Sequence, residues 1–198
     1  MLVFANENLA LLAVPKTGST ALEGALAPRA SLVLRDPPQL KHAPLYRFDR
    51  FLRPMFAAVG KDAIETMALV RHPEDWLESW YRYRTRDALT GHPNSTRDIS
   101  FDNFVQDYCR DSPAPRANVG SQAKFVGHLD QGNRVDHLFR YEAWDSAIQF
   151  LEARLGTQIT PKRMNASPQM LLTLSPTTRA LLHQTRAAEF DVWEAART

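Results

Sequence analysis

Two short stretches of this sequence carry residue types that grip anions. In the first, Val14-Pro15-Lys16-Thr17-Gly18-Ser19-Thr20, Gly18 lets the backbone turn back on itself, Ser19 and Thr20 add hydroxyl donors, and Lys16 supplies a mobile positive charge. At the start of a helix, whose first N–H groups have no internal partner, residues 15–20 with Thr17 at their centre describe a phosphate cradle. An ordinary turn with a hydroxyl N-cap is the other reading of the same residues. The general template G-x-x-x-x-G-K-[S/T] is not met, because no glycine stands five residues before Gly18 and the lysine precedes the glycine. That argues against a Walker-type ATPase.

The second stretch is Arg71-His72-Pro73, with Ser79 eight residues after the arginine. A guanidinium presents a fork of N–H groups that suits a phosphate. With a helix starting near Pro73, Ser79 falls roughly 9 Å along it at 1.5 Å per residue. A phosphate touching both residues therefore lies along the helix flank. Read separately, Arg71 could pair with a neighbouring carboxylate and Ser79 could be a small packing residue.

The elements around these stretches alternate in kind. Residues 9–14 are continuously apolar and end at Pro15, which suits a parallel strand covered on both faces. A helix is predicted from Ser19 or Thr20 to Leu26. Residues 67–70 repeat the arrangement, and Pro73-Glu74-Asp75 read as a first helical turn with acids at the positive end of the dipole. Trp76 and Trp80 then fall on one helical face, where the core is their expected place. Phe101, Phe104, Val105 and Tyr108 form an amphipathic stripe behind Ser100 as cap. A third strand is predicted over residues 135–141, followed by a helix from Trp144 to Leu155 that Gly156 closes. Residues 171–193 read as one or two closing helices. Strand followed by helix three times over predicts a single α/β domain over residues 1–198, with a central, mostly parallel sheet flanked by helices and the phosphate loop after the first strand. In such a sheet, ligands bind beyond the carboxyl ends of the strands, where both anion-gripping stretches fall.

Composition narrows the classes. The chain has 198 residues, 44% of them hydrophobic, enough for one buried core, and 24 Lys+Arg against 22 Asp+Glu leave a formal charge of +2. That balance predicts no nucleic-acid partner and makes any anion site local. Cys109 is the sole cysteine, so neither an intrachain disulfide nor a cysteine-rich zinc cage is expected, and the six histidines form no metal-ligand pattern. No run of about twenty apolar residues exists to span a membrane. Glu7 and Asn8 interrupt the apolar residues near the N-terminus, so no secretory signal is visible and a cytoplasmic location is expected. Arg82, Arg84 and Arg86 read as a solvated basic helix face beside the anion-gripping stretches.

The first stretch after a strand, then Arg71-His72-Pro73 with Ser79 and Tyr81, resembles the two nucleotide-binding signatures of the sulfotransferases that use 3'-phosphoadenosine 5'-phosphosulfate (PAPS). Arg140-Tyr141-Glu142 is similar to that family's strand-to-helix junction, and residues 121–125 to a stretch of its carbohydrate-modifying branches. The resemblance implies that Lys16, Thr17, Gly18, Ser19 and Thr20 hold the 5'-phosphosulfate of PAPS and that Arg71 with Ser79 holds its 3'-phosphate. It also implies transfer of a sulfuryl group to a hydroxyl of a small-molecule or carbohydrate acceptor. Two departures stand against the cytosolic small-molecule branch: Ala21-Leu22 replace the tryptophan after the first motif, and the glycine-rich C-terminal nucleotide loop is missing. The basic stretch 161–167 is the one segment near the C-terminus that could take that loop's place.

In-line transfer needs positive charge on the leaving oxygen and a base on the acceptor side. Lys16 is expected to supply the first. His42 is expected to be the base: it lies beyond the first helix, in the first stretch able to fold over the cleft, and imidazole accepts a proton near neutral pH. Glu23 and Asp36 are the reserve candidates. A non-catalytic nucleotide- or anion-binding module is the alternative, and a small-molecule kinase, lacking an evident magnesium carboxylate, comes third.

Overall fold

Two short apolar runs, Leu2–Phe4 (β1) and Leu9–Leu11 (β2), fold back on one another as an antiparallel hairpin in which Leu2 faces Leu11 and Phe4 faces Leu9. The helix after Gly18 covers Ser19–Leu26 (α1), and the chain returns as a two-residue edge strand, Leu32–Val33 (β3). Short helices follow: Pro38–Lys41 (α2), Leu45–Arg47 (α3), a π-helical turn over Phe48–Leu52, and Arg53–Ala57 (α4). Glu65–Val70 (β4) leads into Pro73–Arg84 (α5), and then come Phe101–Tyr108 (α6) and Gln122–Val126 (α7). His137–Arg140 (β5), Trp144–Leu155 (α8), Pro176–Thr185 (α9) and Ala187–Glu194 (α10) complete the order. The structure, a computed structural model, describes residues 1–127, 133–161 and 170–198.

The strands form one sheet in the order β3-β1-β2-β4-β5. β2, β4 and β5, the three strands expected from the sequence, pair parallel, whereas β1 is antiparallel to both β2 and β3. The sheet is therefore mixed, where the sequence predicts a mostly parallel one. The reason is local: only residues 5–8 join β1 to β2, and parallel neighbours need a crossover of a dozen or more residues.

Both faces of the sheet are covered, which explains the unbroken apolar run at residues 9–14. Along β1 and β2, Val3, Ala10 and Leu12 point to one face and pack with Leu45, Phe48, Phe125 and Val192 from the α3, π-turn, α7 and α10 side. Leu2, Leu9 and Leu11 point to the other and pack with Leu22 and Leu26 of α1 and Leu151 and Leu155 of α8. A third cluster joins α5, α6 and α9 around Trp76, Phe104 and Leu182. Trp76 is 2% exposed, and burial of a side chain that large contributes about 2 to 3 kcal/mol.

The predicted helix ends agree with the structure. Pro73 opens α5 with Glu74 and Asp75 in its first turn. The Ser100 side chain accepts the N–H of Asn103, and Gly156 closes α8 in the left-handed conformation at φ 60. Arg84 departs from the expected solvated face: it is buried and its guanidinium donates to the carbonyls of Pro115, Arg116 and Asn118, tying α5 to the loop after α6. Among the described residues no helix is long and apolar enough to cross a membrane.

Candidate functional site

The ends of β2, β4 and β5 bring three chain segments to one edge of the sheet. After β2 the chain turns through Pro15 to Gly18. Lys16 sits in the left-handed region at φ 68, a conformation that costs a non-glycine residue about 1 kcal/mol. Gly18 follows at φ 76 as the N-cap of α1. Two constraints select glycine there: the positive φ, and the indole of Trp144, whose Cζ3 would stand 2.5 Å from a Cβ on Gly18. The Pro15 carbonyl accepts the Trp76 indole N–H at 2.9 Å, so the first turn of α5 braces the loop.

Thr17 is 2% exposed and donates its hydroxyl to the Val14 carbonyl at 2.9 Å. Its side chain therefore holds the loop together and is not offered to a ligand. Ser19 and Thr20 occupy the first two positions of α1, where backbone N–H groups lack intrahelical partners. Thr20 Oγ1 also accepts from Lys41 Nζ at 3.4 Å.

Lys16 crosses towards α5. Its ammonium lies 4.6 Å from the ring centre of Tyr83 and 5.9 Å from that of Trp80. The Arg86 guanidinium sits over the same Tyr83 ring at 4.5 Å. Burial, then the nearby charges of Arg86 and Arg71, pull the Lys16 pKa down to about 8. Three cations thus share one corner.

Arg71 leaves β4 at the same edge and stacks over the Tyr141 ring at 4.9 Å. Its backbone is clamped: the N–H donates to Gln122 Oε1 and the carbonyl accepts from Gln122 Nε2, both at 2.8 Å. Gln122 is wholly buried at the start of α7. Behind it, the Glu189 carboxylate accepts the Gln122 N–H at 2.9 Å and the Ser121 hydroxyl. The next residue, His72, donates its N–H to Glu142 at 2.8 Å. The Arg71 Nε is buried and, among the described residues, has no hydrogen-bond partner. An acceptor placed there would gain a charge-assisted hydrogen bond.

Ser79 lies on the second turn of α5, as the spacing predicts, and is 7% exposed. His42 follows α2 and is half-buried beneath the end of β2. Its Nδ1 lies 2.7 Å from the Ala13 carbonyl, which can only accept, so Nδ1 carries the proton and Nε2 keeps its lone pair. Burial lowers the His42 pKa; the Ala13 bond opposes this and Lys41 adds to it. Glu23 is committed elsewhere. Burial alone would raise its pKa, but Lys41, at 2.8 Å from Oε2, and Arg35 together hold it below the ordinary value. Asp36 is exposed.

The sequence reading missed Tyr141 as the platform under Arg71, Trp144 against Gly18, Gln122 as the clamp, and Trp80 and Tyr83 around Lys16; it set Arg86 beside the anion-gripping stretches, on a solvated helix face. Tyr141 and Trp144 follow β5 directly, so the rule that sites gather at strand ends could have found them. Of the basic stretch 161–167, residues 162–167 lie outside the described residues. Compared with protein-family models, with curated proteins and with solved structures, this chain matches none.

Proposed function

We propose that this chain is a sulfotransferase that moves a sulfuryl group from PAPS to a hydroxyl of a small-molecule or carbohydrate acceptor. The observation that carries the reading is the cationic corner at the carboxyl ends of β2 and β4: Lys16 and Arg86 both stand over the Tyr83 ring, at 4.6 and 4.5 Å, the charges of Arg86 and Arg71 bear on Lys16, and the Arg71 Nε is buried without a partner among the described residues. A dianionic ligand relieves both the mutual repulsion of the cations and the orphaned donor. In this reading the turn from Pro15 to Thr20 is a P-loop-like cradle for the 5'-phosphosulfate, built from the first N–H groups of α1 and the Ser19 and Thr20 hydroxyls. Arg71 and Ser79 take the 3'-phosphate. Thr17 shapes the cradle through its bond to Val14.

The acceptor oxygen attacks sulfur while the bond from sulfur to the bridging phosphate oxygen breaks. The acceptor proton passes to His42 Nε2, and the products are a sulfate ester and 3',5'-adenosine bisphosphate. Negative charge grows on the leaving oxygen, and Lys16 neutralises it. For this, the ammonium swings from its resting place over Tyr83 towards the loop, a change of rotamers along a flexible stem.

Calorimetry against 3',5'-adenosine bisphosphate, with 5'-AMP and ATP as controls, tests the binding half. Transfer of labelled sulfate from PAPS to a panel of sugars and phenols tests the chemical half. Binding without transfer would favour a nucleotide-binding module on the same fold, and equal affinity for 5'-AMP and the bisphosphate would remove the nucleotide reading.

A further inference from the structure

Residues 45–59 bury one set of large apolar side chains and expose another. Leu45, Phe48 and Phe56 point inward and are buried against the sheet, with Leu52 packed on the same core. In the second set Tyr46 is 56% exposed, Phe51 61%, Met55 50% and Val59 73%. Phe51 stands in the π-helical turn, Met55 in α4 and Val59 in the turn that follows α4, so each of three consecutive pieces leaves a large apolar side chain exposed. Leu40, in the preceding helix, is also exposed and lies next to this face, since Arg47 donates to the Gln39 carbonyl at 3.3 Å. Large apolar side chains exposed together mark an interaction surface.

Charge shows what covers it. Arg47 stacks over Tyr46 and Arg50 over Phe51, at 5.8 and 5.3 Å from the ring centres. Across residues 45–62 the basic side chains are Arg47, Arg50, Arg53 and Lys61, and the carboxylates are Asp49 and Asp62. Asp49 is consumed by Arg53 at 2.8 Å. Exposed rings and aliphatic tips with arginines laid along them are the composition of a helix at the headgroup boundary, where cations reach lipid phosphates and apolar tips enter the acyl region. Two copies of this face would set arginine against arginine, which disfavours self-association. The near-neutral whole chain argues against a protein coated in charge, not against one basic rim.

We infer that the outer face of residues 45–59 docks this protein on an anionic lipid bilayer, with Phe51, Met55 and Val59 inserted and Arg47 and Arg50 on the headgroups. The test is co-sedimentation of the full chain with vesicles of phosphatidylcholine alone and of phosphatidylcholine mixed with phosphatidylglycerol. Binding is expected on the mixed vesicles and not on the neutral ones. Arg50→Gln should weaken it about fivefold, and Phe51→Ser combined with Val59→Ser at least about tenfold. These side chains face outward, so the melting temperature should stay within about 2 °C of the parent. No binding to mixed vesicles, equal binding to both kinds, or variants that bind like the parent would each overturn the inference. Sedimentation analysis showing a dimer that Phe51→Ser with Val59→Ser dissolves, without vesicle binding, would assign the face to a second copy instead.

Discussion

Gly18 and Trp144 meet where the loop after β2 passes the turn after β5: a Cβ on Gly18 would stand 2.5 Å from Cζ3 and 2.8 Å from Cη2 of the indole. The backbone there is also at φ 76, so the contact and the conformation both exclude a larger residue. Gly18→Ala should lower stability by about 1 to 3 kcal/mol, from left-handed strain plus overpacking. For a chain of this length that is a fall of roughly 2 to 12 °C in melting temperature. Adding Trp144→Ala should remove the steric part and leave the φ strain, so a double mutant as impaired as the sum of the singles would refute the contact. Thermal unfolding of the three variants measures this.

Arg71→Ala should abolish the preference for 3',5'-adenosine bisphosphate over 5'-AMP. Charge-assisted hydrogen bonds contribute about 1.5 to 3 kcal/mol, so the parent should discriminate about tenfold to a hundredfold. Titration calorimetry of both nucleotides against both proteins reads the difference directly. An Arg71→Ala protein that still discriminates would move the 3'-phosphate contact to another residue.

Lys16→Ala should reduce turnover more than donor affinity, because the charge it faces grows in the transition state. Loss of affinity with turnover intact would make it a ground-state clamp. The pH dependence follows from its pKa of about 8, lowered by burial and by Arg86 and Arg71. The leaving oxygen needs the ammonium protonated. kcat/KM should therefore fall as pH rises through about 8, well before an ordinary lysine at about 10.4 would lose its charge. Rates at pH values on both sides of 8 check this, and Lys16→Arg, charged throughout, should flatten the profile.

His42→Ala should abolish transfer and leave binding of 3',5'-adenosine bisphosphate unchanged. Because burial lowers the His42 pKa, its neutral form persists further into acid, and the acid limb of the rate profile should lie below the imidazole value of about 6.5. Glu23→Gln provides the contrast. The Glu23 carboxylate is held below its ordinary pKa by Lys41 and Arg35, so it stabilises the fold above about pH 4.3, and that contribution is lost as pH falls through the folded value. Glu23→Gln should lose about 1 to 3 kcal/mol of stability at neutral pH and keep transfer. If His42→Ala turns over normally and Glu23→Gln does not, the base is the carboxylate.

Local chemistry sufficed for several features. Unbroken apolar runs at residues 9–14 and 67–70 identify strands covered on both faces, and Pro73, Ser100 and Gly156 mark helix ends because each meets a requirement of the backbone at its own position. The loop from Pro15 to Thr20 and Arg71 come to one edge of the sheet for the same reason: each directly follows a strand that its own apolar run marks. Tertiary structure decided the rest. The antiparallel β1 comes from a hairpin too short to show periodicity, and its place inside the sheet depends on β3 arriving from the far side of α1. Lys16 acquires its depressed pKa first from burial and then from Arg86 and Arg71, respectively 70 and 55 residues away along the chain, and no local pattern encodes that meeting. Thr17 looks like a ligand in sequence and proves to be a buried brace, because a hydroxyl bonds whichever acceptor the turn presents, here the Val14 carbonyl. Arg84, one helical turn from Trp80, reads as surface and is buried, since the carbonyls of Pro115, Arg116 and Asn118 compensate its charge only after the loop following α6 has folded over it.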